Sequence, residues 1–384
     1  MARLRRSDCS LPGISRRRRG KGFRYSFPDG TPVDPATEER ITSLAIPPAW
    51  RDVWISPFEN GHIQAVGTDA AGRRQYRYHD AWRRQRDLEK FERMVRFGRR
   101  LPSVRRRLAR DLALPGYPKE KVLAAAVRLL DVGYFRIGGE EYAEEHETFG
   151  LSTMERRHVR VSGSTMHFDY PAKGGLRRQV SVVDRDVAPI VKGLDQRRGG
   201  GRDLLAWKED GRFVDVKADD VNAYLKDLAG EEFSAKDFRT WSATVLAAVE
   251  VARSSRRSTP ASRRVASAVC RQVSSKLGNS PAVCRASYVD PRVFDRFEAG
   301  ESIAHALGAG SGGDAGELRL RHRVERAVIE LLAEEAAPQV RKRAPKPSRR
   351  RAASSSASPS STSRSKEGSS SGPTRCASPT EKAA

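Results

Sequence analysis

The sequence predicts an α+β protein with a small β-rich N-terminal domain, a mainly α-helical domain that carries a three-stranded antiparallel sheet, and a disordered basic C-terminal tail. Three observations predict it. Near residue 80 the hydrophobic period changes from strand-like to helical. Between residues 158 and 183, alternating segments joined by glycine-bearing turns interrupt the helical pattern. After about residue 336 the composition collapses into Ser, Pro, Ala, Arg and Lys, which cannot bury enough apolar area to fold.

Residues 1–22 read as a basic flexible arm around the run Arg16-Arg17-Arg18-Arg19. Residues 23–80 form the β-rich domain, in which Asp52–Ile55 and His62–Val66 are short apolar runs set off by Pro and Gly. Its last strand alternates as Arg74-Gln75-Tyr76-Arg77-Tyr78, so Tyr76 and Tyr78 share one face and Arg77 points to the other. Such a strand either packs as an ordinary half-buried element or offers rings to bases and cations to phosphates. Residues 81–335 are helical at Trp82–Gly98 and Lys121–Leu130, with Pro102 and Pro118 near helix starts. His158–Val161, Met166–Tyr170 and Arg177–Val183 then form the antiparallel meander, and Val216–Leu332 is mostly helical. Residues 336–384 are the disordered tail.

A chain of 384 residues with 38% hydrophobic content can build a real core, while 31% charged residues and a formal charge of +24 favour a polyanionic partner. Cys9, Cys270, Cys284 and Cys376 lack metal-ligand spacing and form no secretory framework, so they read as reduced thiols. The basic N-terminus lacks the apolar stretch of a signal peptide, and no segment is apolar for long enough to span a bilayer. An intracellular, cytoplasmic location follows as the expectation, with no membrane partner.

The candidate chemistry is spread along the chain. Arg136 lies in the mostly apolar run Gly133–Gly139 and needs an anion or an acidic partner, for which Glu140 and Glu141 are ordinary choices. Lys173 stands at the tip of a glycine-bounded hairpin, where a lysine is either solvated or able to reach into a groove. Arg239 opens a helix in Lys236-Asp237-Phe238-Arg239-Thr240-Trp241, where Asp237 is an available partner and a helix start with two cations is also a phosphate site. Gly278–Tyr288 is a helix break followed by a new helix start, with Asn279 just after the break and Tyr288 at its far end. Taken singly, each of these has an ordinary structural explanation.

Taken in order, Arg136, Lys173, Arg239, Asn279 and Tyr288 resemble the active site of type IB DNA topoisomerases, especially the poxvirus-like and bacterial branch. The resemblance runs from about Lys21 to Phe297 and is carried by several phrases, among them Ala45–Trp50, Gly61–Ala65, Arg74–Tyr78, Asp219–Leu225, Lys236–Trp241 and Gly278–Tyr288. It implies the catalytic fold shared with tyrosine recombinases for residues 81–335, and relaxation of supercoiled DNA through a 3′-phosphotyrosyl intermediate without ATP, metal or other cofactor. Tyr288 is then the nucleophile, Arg136 and Arg239 clamp the phosphoryl oxygens, Lys173 is the general acid, and Asn279 donates a hydrogen bond where many relatives have histidine. Tyr76, Tyr78, Gln75 and Lys236 are the implied DNA contacts, and the expected working unit is a monomer on double-stranded DNA at the nucleoid. Gly139, Ala172 and His146 depart from the residues usual in the family. The alternatives are a tyrosine recombinase, which usually carries His-x-x-Arg where this chain has Lys236-Asp237-Phe238-Arg239, and a non-enzymatic DNA-binding protein.

Overall fold

The computed structural model describes residues 3–333 apart from 141–142, 144–146, 255–258 and 309–313. The tail expected over 336–384 therefore lies outside the described residues, as do Glu141 and His146.

The N-terminal part is a five-stranded antiparallel sheet built from β1 (Ile14–Arg19), β2 (Gly22–Ser26), β3 (Arg51–Ile55), β4 (Ile63–Thr68) and β5 (Arg74–Tyr78), in the order β2-β1-β3-β4-β5. Helix α1 (Pro35–Ser43) covers one face and brings Ile41 against Ile14, Ile55 and Ala65. The Asp34 carboxylate caps it by accepting from the Thr37 amide at 2.9 Å.

The expectation of a flexible arm over residues 1–22 needs correction, because Ile14–Arg19 is a strand inside this sheet. Ile14 is fully buried. Arg16 is not solvated either: its guanidinium donates to the Trp50 carbonyl at 2.7 Å and the Pro47 carbonyl at 3.2 Å, and it lies 4.2 Å over the Phe23 ring. A run of arginines can pair as a strand when its inward positions find carbonyl acceptors and an aromatic face.

Helix α2 (Asp80–Leu112) starts at the capping His79, where the period was read to change. Pro102 does not start a helix but sits inside this one. An interior proline costs about 3 kcal/mol. Burial of Phe97, Leu101, Val104 and Leu108, worth roughly 1.5–3 kcal/mol each, outweighs that and keeps the helix continuous. Helix α3 (Lys119–Gly133) does start after its proline, with Pro118 at the cap.

The expected meander is present as β6 (Val159–Ser162), β7 (Thr165–Pro171) and β8 (Arg177–Val183), in the order β6-β7-β8. His158 falls just before it, at the end of a short 3-10 turn. Helix α4 (Val187–Asp195) follows, and then the hairpin β9 (Ala206–Glu209) and β10 (Arg212–Asp215). This hairpin was not anticipated, although Asp210-Gly211, both at positive φ, is the dipeptide its tight turn requires. The remaining helices are α5 (Ala218–Ala229), α6 (Ala235–Arg253), α7 (Thr259–Leu277), α8 (Pro281–Ser287), α9 (Arg292–Ala299) and α10 (Asp314–Ala333).

One large core joins α2, α3, α6 and α7 to the inner face of the meander. Its packing is close: a Cβ at Gly98 on α2 would lie 2.6 Å from the fully buried Trp241 of α6. A buried ionic network ties α10 to the same core. Arg105 on α2 donates to Asp131 on α3 at 2.9 Å and to Glu325 on α10 at 2.6 Å. Burial alone would raise the Asp131 pKa, but Arg321, Arg105 and Arg128 together hold it well below the usual carboxylate range. Removing the arginine leaves two buried carboxylates short of a partner, so Arg105→Ala is expected to lower stability by about 3–5 kcal/mol. Chemical denaturation of the two proteins measures this, and a midpoint equal to wild type would show the network to be dispensable.

Candidate active site

Four separate breaks in regular structure converge on one place. Helix α3 ends at Tyr134, whose φ of 55° turns the chain into the extended segment that carries Arg136. The β7–β8 turn, with Gly174 and Gly175 at φ of 82° and 73°, presents Lys173. Helix α6 opens with a capping box in which the Asp237 carboxylate accepts from the Ser234 amide at 2.9 Å. The other oxygen of Asp237 accepts from Arg93 at 3.0 Å, so this carboxylate is engaged away from Arg239. Helix α7 stops at Leu277, Gly278 takes a φ of 65°, and Ser280 caps the short α8 that delivers Tyr288.

These breaks bring Arg136, Arg239, Asn279 and Tyr288 into contact. The Asn279 Oδ1 accepts from Arg136 at 2.7 Å and from Arg239 at 3.2 Å. Arg239 also donates to the carbonyls of Tyr134 and Leu277, which ties the end of α3 to the end of α7. Its guanidinium carbon lies 5.5 Å from the centroid of the Tyr288 ring. The chain around Tyr288 is pinned from α6: the buried Thr244 hydroxyl donates to the Tyr288 carbonyl at 3.3 Å and accepts from the Asp290 amide at 3.1 Å. Glu140, the acidic alternative for Arg136, pairs instead with Lys217 at 3.3 Å.

Electrostatically the site is short of negative charge. Burial disfavours the Arg239 cation and Arg136 adds repulsion; the Tyr288 phenolate pulls the other way, and the pKa settles at about 10. Burial on its own would raise the Tyr288 phenol, but the guanidinium groups of Arg239 and Arg136 outweigh it, so the pKa lies below the ordinary tyrosine value. Within the site, three donors, the Arg239 Nε, the Arg178 Nε and the Asn279 Nδ2, are buried without a hydrogen-bond partner among the described residues. Buried donors of this kind cost roughly 1–3 kcal/mol each until something accepts from them. An anion in the site would do so.

Lys173 lines one cavity of about 470 Å³ together with Tyr134, Arg136, Tyr170, Arg178 and Arg239. Lys236 is exposed in the first turn of α6, three residues before Arg239 and outside that cavity. Gln75, Tyr76 and Tyr78 belong to β5 and do not line it either. There the rings of Tyr76 and Tyr78 stack at 5.9 Å, both about 40% exposed. Arg77 turns to the opposite face and donates to the Ala45 carbonyl at 2.9 Å, and Gln75 donates to Asp69 at 3.0 Å. The strand register carries the face of Tyr76 on through Val66 and Trp54 to Ser15 of β1, and so to Arg17 and its partner Arg24.

Two residues of the cavity, Tyr170 and Arg178, were not singled out from sequence. The available signal was the alternation of β8, which turns Arg178 inward with Val180 and Val182.

An exposed pair of aromatic rings on the N-terminal sheet and, in the helical part, a tyrosine beside guanidinium donors without a carboxylate partner among the described residues suit an enzyme that handles a nucleic-acid phosphate. Residues 79–300 match the family described as eukaryotic DNA topoisomerase I, catalytic core, and residues 22–69 match the bacterial DNA topoisomerase IB N-terminal domain. The chain belongs to the type IB DNA topoisomerase family, whose members are isomerases of DNA topology. It is similar to DNA topoisomerase 1B of Acanthamoeba polyphaga mimivirus, 31% identical over 288 residues that cover 73% of this chain and 85% of the relative. DNA topoisomerase 1 of Mycosarcoma maydis is 24% identical over 226 residues, 52% of this chain but 22% of the longer relative. DNA topoisomerase 1 alpha of Arabidopsis thaliana is 27% identical over 161 residues, 41% of this chain and 16% of that relative. The recombinase and plain-binder alternatives give way to this membership. Among the described residues no helix is long and apolar enough to cross a membrane, and no His, Cys, Asp and Glu cluster is suited to hold a metal ion.

Proposed function

We propose that this topoisomerase relaxes supercoiled double-stranded DNA with Tyr288 as the nucleophile. The Tyr288 phenol, its pKa lowered by Arg239 and Arg136, gives its proton to water, the phenolate Oη attacks the scissile phosphorus in line, a phosphorus–tyrosine oxygen bond forms, and the bond to the 5′ oxygen breaks. The broken strand is held as a 3′-phosphotyrosyl ester, and the departing 5′ oxygen takes a proton from Lys173. After strand rotation the 5′ hydroxyl returns its proton to Lys173 and attacks the ester, and Tyr288 leaves as the phenolate, which restores the original linkage. Arg136 and Arg239 hold the non-bridging oxygens, and the Asn279 Nδ2 donates to one of them. The observation that carries this reading is the Arg239 guanidinium 5.5 Å from the Tyr288 ring, with Asn279 bonded to both arginines.

Tyr76 and Tyr78 would meet the duplex on the exposed face of the N-terminal sheet, and Lys236 would add a phosphate contact near Arg239. Gln75 would reach DNA only by leaving Asp69. Arg136, Arg239 and Asn279 are hydrogen-bonded to one another within one chain, so the proposed chemistry needs no residue from a second copy, and a monomer is the proposed active unit. Together with the match to the bacterial N-terminal domain, a DNA substrate supports a cytoplasmic, nucleoid-associated location.

Because each step exchanges one phosphodiester for another, no ATP is required as a source of energy, and Arg136, Arg239 and Lys173 supply the charge and the proton that a metal ion would otherwise provide. Plasmid relaxation should therefore run to completion in EDTA without nucleotide. Loss of all activity in EDTA, recovered with Mg²⁺, would overturn the mechanism.

A further inference from the structure

β8 brings more to the cavity than the lysine at its turn. Burial along the strand alternates so that Arg178 faces inward, while its neighbour Arg177 faces outward and pairs with Asp169 at 2.7 Å. A cation on an inward face needs acceptors or an anion. Arg178 donates to two carbonyls, Lys276 at 3.0 Å and Gly133 at 3.5 Å, and also interacts with the Tyr170 phenol. Its Nε is buried with no partner at all.

The position of this guanidinium relative to the other site residues is defined. Arg178 stands opposite Tyr170 across the β7–β8 ladder and lines the cavity with Arg136, Lys173 and Arg239. It also rests against the backbone next to Asn279: a Cβ at Gly278 would lie 2.4 Å from the Arg178 Nη1. Burial and then the nearby Arg136 disfavour its cation, with only the Tyr170 phenol opposing them. The cavity thus holds Arg178 as a guanidinium among two carbonyls and a phenol, with no carboxylate partner among the described residues and one buried donor unused.

We propose that Arg178 is a further catalytic residue, whose Nε–H contacts a non-bridging oxygen of the scissile phosphodiester as a third guanidinium beside Arg136 and Arg239. The inference rests on Tyr288 being the nucleophile. Its chemical sense is that negative charge grows on the phosphoryl oxygens as the phenolate attacks, and Asn279 is neutral and contributes no charge against it. The competing account is a brace, in which Arg178 only holds the Lys276–Gly278 segment in place.

The test measures single-turnover formation of the covalent adduct by the full-length protein on a duplex that traps it. Arg178→Ala and Arg178→Gln are compared with wild type; glutamine keeps a donor for the Lys276 carbonyl but has no charge. Both variants should slow adduct formation by roughly 10²–10³-fold, with little change in duplex affinity. The decisive arm replaces one non-bridging oxygen of the scissile phosphate with a methyl group, which removes its negative charge. On that neutral substrate the gap between wild type and the variants should shrink at least about tenfold, because the charge the guanidinium offsets is gone. A gap of equal size on both substrates, or recovery by glutamine to the wild-type rate, would establish the brace and overturn the proposal. An adduct formed by Tyr288→Phe on the ordinary duplex would instead overturn the underlying nucleophile assignment, whatever Arg178 does.

Discussion

Tyr288→Phe is expected to abolish both plasmid relaxation and the covalent DNA adduct while leaving the fold and duplex affinity nearly unchanged. The ring is 8% exposed, and its packing is kept by phenylalanine. The backbone on either side remains clamped by Thr244, so the segment should not move. Only the phenolic oxygen is lost, and without it no bond to phosphorus can form. Binding depends mainly on phosphate contacts made elsewhere on this chain of +24 charge and should persist, with its usual steep dependence on salt. The measurement is a denaturing gel of protein mixed with labelled DNA, followed by mapping of the linked peptide. An adduct on Tyr76 or Tyr224, or wild-type relaxation by the variant, would refute the assignment. Tyr224 is a poor candidate on chemical grounds, since burial and its 2.6 Å hydrogen bond to Asp111 push its phenol far above the ordinary range.

Arg239→Ala should be nearly as inactive, for a different reason. The nucleophile remains, but the transition state loses a guanidinium where its charge develops. Arginines in that position contribute roughly 10³–10⁵-fold to phosphoryl-transfer rates. The variant also frees the Tyr134 and Leu277 carbonyls, which should cost stability of about 1–3 kcal/mol if they stay buried without a donor. The two consequences can be separated. Thermal denaturation reports the structural loss, and the adduct rate measured well below the melting temperature reports the chemical one. A folded Arg239→Ala protein that cleaves within tenfold of wild type would remove Arg239 from the mechanism. A residual, very slow adduct still on Tyr288 is the result the mechanism requires.

Much of this was legible because local rules act on short stretches. The helix break at Gly278 and the capped restart at Ser280 are written in Gly278-Asn279-Ser280-Pro281, and the structure follows them residue by residue. The meander could be read because Met166, Phe168 and Tyr170 alternate with outward polar residues. The alternation of β5 likewise separated Tyr76 and Tyr78 from Arg77.

Where the reading failed, a distant partner decided the outcome. Pro102 is a local helix breaker, yet α2 passes through it because the core opposite rewards continuity. The arginine run of β1 reads as a solvated arm until the carbonyls of Pro47 and Trp50 and the ring of Phe23 are brought beside Arg16. Asp237 is an equally good partner for Arg239 on the sequence, and only the arrival of Arg93 from α2 takes it away. By itself, then, the sequence determined the order of elements, the turns that expose Lys173 and Asn279, and the residue types fit for phosphoryl transfer. Tertiary structure decided which charges are neutralised and which stay unpaired. Arg93 is paired with Asp237 and Arg105 with Asp131 and Glu325, whereas Arg239 and Arg178 have no carboxylate partner among the described residues. The reason is that a charge finds its partner through space over a few ångströms, and which groups come that close is set by how the helices and the hairpin pack.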